Sequence, residues 1–108
     1  MVQRYNSEES MWDEWPNCMA KAQDQLRDKY PSIQSSSWSF NEGWVNKTAN
    51  TYRVNISFTA FDEDLKNIVL VNTSFLGSYG QEGTSDSTSE KLIVEYDAWD
   101  KKYVPKSG

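Results

Sequence analysis

The side chains in this sequence that could do chemistry are carboxylates, hydroxyls, lysine amines and one thiol, which leaves a Ser–Lys dyad or a carboxylate pair open as catalytic groups. The chain contains no histidine. Its absence removes Ser–His and Cys–His nucleophilic pairs, the commonest acid–base residue and ordinary zinc sites. No cation lies near Cys18 in sequence before Lys21, so a reactive thiolate is not favoured and a buried role is expected. Neither a phosphate-binding glycine motif nor a nucleophile elbow occurs. We therefore predict a protein that is not an enzyme and that holds no cofactor.

Three consecutive carboxylates, Asp62 to Asp64, form the densest acidic cluster. Hard cations such as calcium prefer clustered carboxylates, but an EF-hand loop also needs further oxygen ligands, a central glycine and a distal glutamate. Leu65 and Lys66 follow instead. The sequence therefore predicts a solvated hairpin tip at this point and no metal site.

Acidic residues are interleaved with aromatic residues elsewhere in the chain. The net charge is −5, and the chain contains 5 Trp and 6 Tyr. The charge disfavours nucleic acid and anionic membrane surfaces as direct partners. Exposed Trp and Tyr side chains often anchor protein interfaces, and an acidic surface suits a basic partner protein. The residues predicted to bind that partner are Trp12, Asp13, Glu14, Asp62, Glu63, Asp64, Tyr79, Glu95, Asp97 and Trp99.

One amphipathic helix is predicted from about residue 14 to 29. Asp13 is its expected N-cap, and Pro16 falls in the first turn, where its missing N–H costs little. An extra turn before Pro16 is a further expectation. Apolar residues recur at three- and four-residue steps, which is typical of one helix face. The stripe consists of Met11, Trp15, Cys18, Met19, Ala22, Leu26 and Tyr30.

Four strands are predicted after the helix, at about 36–45, 51–61, within 65–76, and 91–99. In the second strand, YRVNISFTAF, apolar and polar residues alternate, so one face is expected to be buried. In the first strand, Trp38, Phe40 and Trp44 share that alternation, and Glu42 is the exception. Residues 77–90 are predicted to be a flexible loop or two strand ends with a mobile tip. Residues 1–10 and 101–108 are expected to fray.

These elements predict a single α+β domain over residues 1–108, in which the helix packs across a four-stranded antiparallel sheet. Trp15, Trp38 and Tyr52 are the aromatic residues expected in its core. The predicted architecture is similar to cystatin-type and NTF2-type curved sheets. The turn at residues 46–50 reads NKTAN and lacks the cystatin Gln-Val-Val-Ala-Gly-type hairpin, so no family is identified.

Three functional hypotheses follow. The first is a non-catalytic protein-binding module, a small acidic inhibitor comparable in size and charge to phage or mobile-element proteins such as anti-CRISPR proteins. The second is an extracytoplasmic accessory domain of a surface or secretion system. The third is a small-ligand carrier or enzyme that uses the concave side of the sheet, where Glu42 is the candidate polar group.

The predicted cellular location rests on the N-terminal residues. They contain no apolar segment like that of a signal peptide. The sequence predicts a cytoplasmic protein, located in the host cytoplasm if a mobile element encodes it. An extracytoplasmic location would require a signal upstream in the native gene. No apolar run approaches the length of a membrane span.

Overall fold

The computed structural model describes residues 2–78 and 86–106. They form an α+β fold with two helices and six strands. In chain order the elements are β1 (Val2–Tyr5), α1 (Glu8–Glu14), α2 (Pro16–Lys29), a short 3-10 turn (Ser35–Ser37), β2 (Ser39–Lys47), β3 (Thr51–Asp62), β4 (Asn67–Ser78), β5 (Asp86–Asp97) and β6 (Lys102–Pro105).

The strands form one curled antiparallel sheet in the order β1-β2-β3-β4-β5-β6. The predicted meander is therefore confirmed over β2 to β5, but the sheet has six strands and not four. The cystatin- or NTF2-type architecture is not confirmed. Tyr5 pairs with Gly43 in the first ladder, and Tyr96 pairs with Tyr103 in the last. Both chain ends that were predicted to fray thus contribute edge strands.

The core lies between the helices and one face of the sheet. The predicted apolar face of β3 is buried, and the helix stripe covers it as expected. Ser57 and Thr59, on the face expected to meet water, are buried as well. Met11, Cys18, Met19, Ala22 and Leu26 supply the buried helical side chains, so Cys18 has the buried role that its position indicated. Among the expected core aromatics, Tyr52 is buried, while Trp15 and Trp38 are partly buried against the core.

The helical segment is divided at Trp15 into two helices. Ser7 caps α1, because its side chain accepts a hydrogen bond from the backbone N–H of Ser10 at 3.2 Å. The N-terminus of α2 has no side-chain cap, so Asp13 does not play the predicted role. Pro16 begins α2 at a position where proline requires no hydrogen bond, and this helix ends at Lys29, as predicted.

A β-bulge corrects the predicted orientation of Trp44. The register of β2 against β3 shifts between Phe40 and Glu42, which inserts one extra residue. Phe40 therefore faces the core, but Trp44 pairs with Asn55 on the opposite face, while Val45 is buried. A bulge reverses every side chain that follows it, so a simple alternation cannot be extended across it.

The end of β5 and strand β6 form a hairpin that covers part of the helix-free face. The pairing of β5 changes from β4 to β6 after Ile93, and residues 101–105 of the hairpin line a cavity together with Leu70. Leu70 is buried in consequence, as is Val94. This second covering explains why β4 is apolar on both faces near its start.

Candidate functional site

The structure separates the predicted partner-binding residues into three places. Trp12, Asp13 and Glu14 lie on α1, beside the β1 edge. Residues 62–64 lie at the end of β3 and in the turn that follows it, and Glu95, Asp97 and Trp99 lie on the hairpin at the other edge. Tyr79 lies outside the described residues. The predicted set is therefore distributed over three separate elements.

The three predicted residues on α1 form an acidic surface to which the Trp12 ring contributes only in part. Asp13 and Glu14 are exposed, whereas Trp12 is partly buried and packs against the hydrophobic core. The Trp12 indole donates a weak hydrogen bond to Glu8 at 3.4 Å. The Glu14 carboxylate accepts a hydrogen bond from the Tyr5 hydroxyl. Burial of the hydroxyl is the main cause that raises the pKa of Tyr5, and this hydrogen bond is the second. Trp12 therefore stabilises the fold as well as contributing to the surface.

Asp62 is a structural residue that no partner can reach in this conformation. Its side chain is 0% exposed, and one carboxylate oxygen lies 2.7 Å from the Lys91 ammonium. The other oxygen accepts the backbone N–H groups of Asp64 and Leu65, at 2.9 and 3.2 Å. Burial alone would raise the pKa of this carboxyl group, but its hydrogen bonds outweigh burial and lower the pKa. Asp62 is therefore excluded from the docking surface, while Glu63 and Asp64 are exposed in the turn.

The tip of the hairpin presents the most exposed aromatic side chain described. The side chain of Trp99 is 93% exposed, and Tyr96, on the strand leading to the tip, is 56% exposed. Asp97 accepts the backbone N–H groups of Trp99 and Asp100, at 2.9 and 3.3 Å, and thereby holds the turn. Tyr96 packs edge-on against the ring of Tyr103, at 5.3 Å between centroids. An ordered turn thus holds an aromatic ring in solvent.

The helix-free face of the sheet carries a second candidate site, which the sequence analysis located only in part. Two rows of side chains run across neighbouring strands of this face. The first row is Arg4, Trp44, Asn55, Ser74 and Thr88. The second row is Glu42, Ser57, Asn72 and Glu90. Glu42, the predicted polar group of the concave side, therefore lies on this face beside Trp44.

Three adjoining cavities, of about 410, 390 and 440 Å³, open along these rows, and Trp44 lines all of them. The Ser57 hydroxyl, in a residue that is only 3% exposed, donates to the Asn72 side-chain oxygen at 2.6 Å. Arg53 donates to the Ser74 hydroxyl at 2.9 Å. The rows and the hairpin together form a groove, which we call the Trp44 groove.

The Trp44 groove offers mainly hydrogen-bonding side chains. Most of the side chains in the two rows are amides and hydroxyls, which can donate and accept hydrogen bonds. Within residues 2–78 and 86–106, no group of three or more Cys, Asp or Glu side chains could hold a metal ion. None of the helices in the same ranges is long and apolar enough to cross a membrane.

No protein-family model, curated protein or solved structure matches this chain. Sequence patterns could have indicated the groove, because Asn55, Ser57, Asn72 and Ser74 alternate with buried residues in β3 and β4. The position of Trp44 could not be indicated in this way, because it depends on the bulge.

Proposed function

We propose that this protein is a non-catalytic protein-binding module that docks through the tip of its C-terminal hairpin. The observation that carries the proposal is the indole of Trp99, which is 93% exposed. Leaving such a large apolar ring in water is unfavourable, and Trp is enriched among the residues that dominate interface energies. The occupant of this surface is a partner protein with an apolar pocket that accepts the indole.

The arrangement of the turn supports docking by a preformed element. The Asp97 carboxylate accepts two backbone N–H groups of the turn, and Lys101 adopts a positive φ of 56° that closes it. An ordered loop loses less conformational entropy on binding than a flexible one does. Trp99 and Tyr96 would therefore meet the partner with little rearrangement of the backbone.

Charge supports a basic partner at the scale of the molecule but not at the hairpin itself. The hairpin carries Glu95, Asp97 and Asp100, but Lys101, Lys102 and Lys106 balance them. The net charge of the chain is −5, and α1 with its flanking residues contributes exposed carboxylates. A basic partner would be attracted by this overall charge, whereas its affinity would come from the aromatic contact. The small size and this net charge also support an inhibitor role of the anti-CRISPR kind.

The experiment compares capture of proteins from a lysate by the wild-type chain and by two variants. Trp99→Ala removes the indole from the hairpin tip. Leu65→Ala is the matched control, because Leu65 is also an exposed apolar residue in a turn but lies between β3 and β4. We expect a partner that the wild type and Leu65→Ala capture and that Trp99→Ala loses.

The captured protein is then purified and its affinity is measured. A hot-spot residue contributes about 2 kcal/mol or more, so Trp99→Ala should weaken binding by roughly 30-fold or more. The association rate should fall with added salt, since attraction between net charges is screened. Equal affinity of the three chains would overturn the hairpin as the docking site, and a salt-independent association rate would overturn the basic partner. Self-association abolished by Trp99→Ala would assign the tip to a second copy instead.

A further inference from the structure

We propose that the Trp44 groove binds a neutral oligosaccharide, with a sugar ring on the Trp44 indole and sugar hydroxyls hydrogen-bonded to Asn55 and Asn72. The proposal is independent of docking through the hairpin tip, because Trp99 lines none of the three cavities. It assigns a ligand chemistry to the face that the helices leave uncovered.

The first reason is the position of the aromatic ring. Trp44 lies on β2, directly opposite Asn55 on β3, and it lines each of the three adjoining cavities. It is partly exposed in spite of its size, whereas Val45, the next residue, is fully buried. The face of an indole is electron-rich, so it attracts the polarised C–H groups of a sugar ring. An aromatic ring within a hydrophilic groove is thus a platform for a ligand that is both ring-shaped and hydroxylated.

The second reason is the set of hydrogen-bonding groups beside the ring. Ser57 donates to the Asn72 oxygen and so directs the Asn72 amide nitrogen away from Ser57. No described contact engages that nitrogen, and none engages the Asn55 amide. An amide offers two donors and an acceptor, which matches adjacent sugar hydroxyls that both donate and accept. The groove therefore has unused polar groups on β3 and β4, next to the platform on β2.

The third reason is the balance of charge. The two rows contain Arg4, Glu42 and Glu90, and Arg53 flanks them. These four residues supply two positive and two negative charges, which sum to zero. A groove for single-stranded nucleic acid combines aromatic rings with a clear excess of positive charge, and a groove for an acidic sugar needs cations along its length. Lys101 and Lys102 lie only at the end of the groove that the hairpin covers. Charge complementarity therefore favours a neutral ligand along the rows.

The fourth reason is the kind of side chain at the centre of the face. A sheet face that simply meets water can carry long charged residues, which remain solvated at little cost. The central positions of the rows instead hold short neutral residues: Asn55, Ser57, Asn72 and Ser74. Short side chains leave the cavities open, and the hairpin closes one end of the groove at Lys101 to Pro105. The face has the form of a binding groove and not of a flat solvated surface.

The experiment measures binding of neutral linear hexasaccharides of glucose, xylose, mannose and N-acetylglucosamine to the full chain by calorimetry. Binding is also followed by fluorine NMR of chains labelled with 5-fluorotryptophan, in which each of the 5 Trp gives its own signal. We expect at least one hexasaccharide to bind and to shift the Trp44 signal. The signal of Trp99 should not shift.

Variants then test the assigned residues. Trp44→Ala should weaken binding by about tenfold or more, and Trp44→Phe should retain part of it, because a smaller ring still provides a platform. Asn55→Ala and Asn72→Ala should each weaken binding by up to about tenfold, which corresponds to the loss of one or two hydrogen bonds. Trp99→Ala is the matched control and should bind the sugar as the wild type does. This control also separates the two proposals, because the same variant should lose the partner protein.

Three results would overturn the inference. The first is that none of the four hexasaccharides binds at millimolar concentration. The second is that a sugar binds but neither Trp44→Ala nor the two asparagine variants reduce its affinity. The third is that an oligothymidylate or an oligogalacturonate binds more tightly than every neutral sugar. If Trp44→Ala fails to fold, the asparagine variants and the Trp44 fluorine signal of the wild type decide the question.

Discussion

At the scale of single residues, Asp62 shows how a cluster of acidic residues separates into different roles. Its carboxylate is fully buried, pairs with Lys91 and accepts two backbone N–H groups of the turn, while its neighbours Glu63 and Asp64 remain exposed. The alternation of β3 extends to residue 62 and places this side chain on the core face. Asp62 therefore stabilises the turn that follows β3.

We expect Asp62→Asn to lower the free energy of unfolding by about 2 to 3 kcal/mol near neutral pH. Asparagine keeps an oxygen that can accept the turn N–H groups, so the substitution removes the ion pair with Lys91 and leaves the turn. Urea denaturation measures the change. Glu63→Gln is the control, because the side chain of Glu63 makes only solvent-exposed contacts, an ion pair with Lys66 at 3.5 Å and a hydrogen bond from the Gln34 amide. It should change stability by less than about 0.5 kcal/mol.

The same pair predicts a pH dependence. The pKa of Asp62 is lower in the folded chain than in the unfolded chain, where it is about 3.9. Its contribution to stability is therefore complete above that unfolded pKa and is lost as the pH falls through the folded pKa. The difference in stability between the wild type and Asp62→Asn should shrink below about pH 4. A difference that stays constant down to pH 2 would contradict this account of the carboxylate.

Gly77 is a second residue whose role appears only in the folded structure. A Cβ added there would lie 2.4 Å from the Cζ and Oη atoms of Tyr52, whose ring packs at 4.9 Å from Trp15. We expect Gly77→Ala to destabilise the fold by about 1 to 3 kcal/mol, because the buried ring must move. Gly43→Ala is the matched control, since its Cβ would meet the flexible end of Met11 at 3.1 Å and the Phe40 ring at 3.3 Å, both longer than the contacts at Gly77. Thermal unfolding should show a clearly larger loss for Gly77→Ala, and equal losses would contradict the clash.

At the scale of elements, the break between α1 and α2 determines which residue caps the first helix. Ser7 accepts the N–H of Ser10, whereas Asp13 lies near the C-terminus of α1, where a negative charge is unfavourable. Ser7→Ala should therefore destabilise the fold by about 1 kcal/mol. Asp13→Ala should be neutral or slightly stabilising. Chemical denaturation of the two variants distinguishes the observed cap from the one predicted by sequence, and a larger loss for Asp13→Ala would contradict the structure.

The elements also show what the sequence could predict and what it could not. The stripe of α2 and the alternation of β3 could be predicted because hydrophobic burial imposes one period over a whole element. The face of Trp44 could not, because the bulge in β2 reverses the alternation, and the Trp44 groove depends on that reversal. The edge strands β1 and β6 could not be recognised either. Each has four residues, and pairing with a longer strand supports it more than its own composition does.

At the scale of the whole molecule, the two faces of the curled sheet are covered to different extents. The helices cover one face with a continuous core, while the hairpin covers only the start of β4 on the other face, over Leu70. Few buried contacts hold the hairpin, so it should open locally more readily than β3 and β4 do. Both proposed sites involve this element, since its tip carries Trp99 and its second strand closes the Trp44 groove.

The attachment of the hairpin can be tested through one backbone amide. The N–H of Lys106 donates to the carbonyl oxygen of Ile93 at 2.8 Å, so its hydrogen exchange reports whether the hairpin is closed. Leu70→Ala removes apolar contact beneath the hairpin and should destabilise the fold by about 2 kcal/mol. The Lys106 amide should then exchange faster because the hairpin opens more often, while the paired amides of β3 and β4 should exchange faster only as far as global stability falls.

Ile68→Ala provides the comparison, because Ile68 lies on the same face of the same strand but is partly exposed and lines none of the cavities beneath the hairpin. It should leave the Lys106 exchange close to that of the wild type. Equal acceleration by both variants would mean that the hairpin opens only when the whole domain unfolds. In that case the hairpin would block one end of the groove for as long as the protein is folded. An oligosaccharide would then have to enter the groove from the β1 side and not from beneath the hairpin.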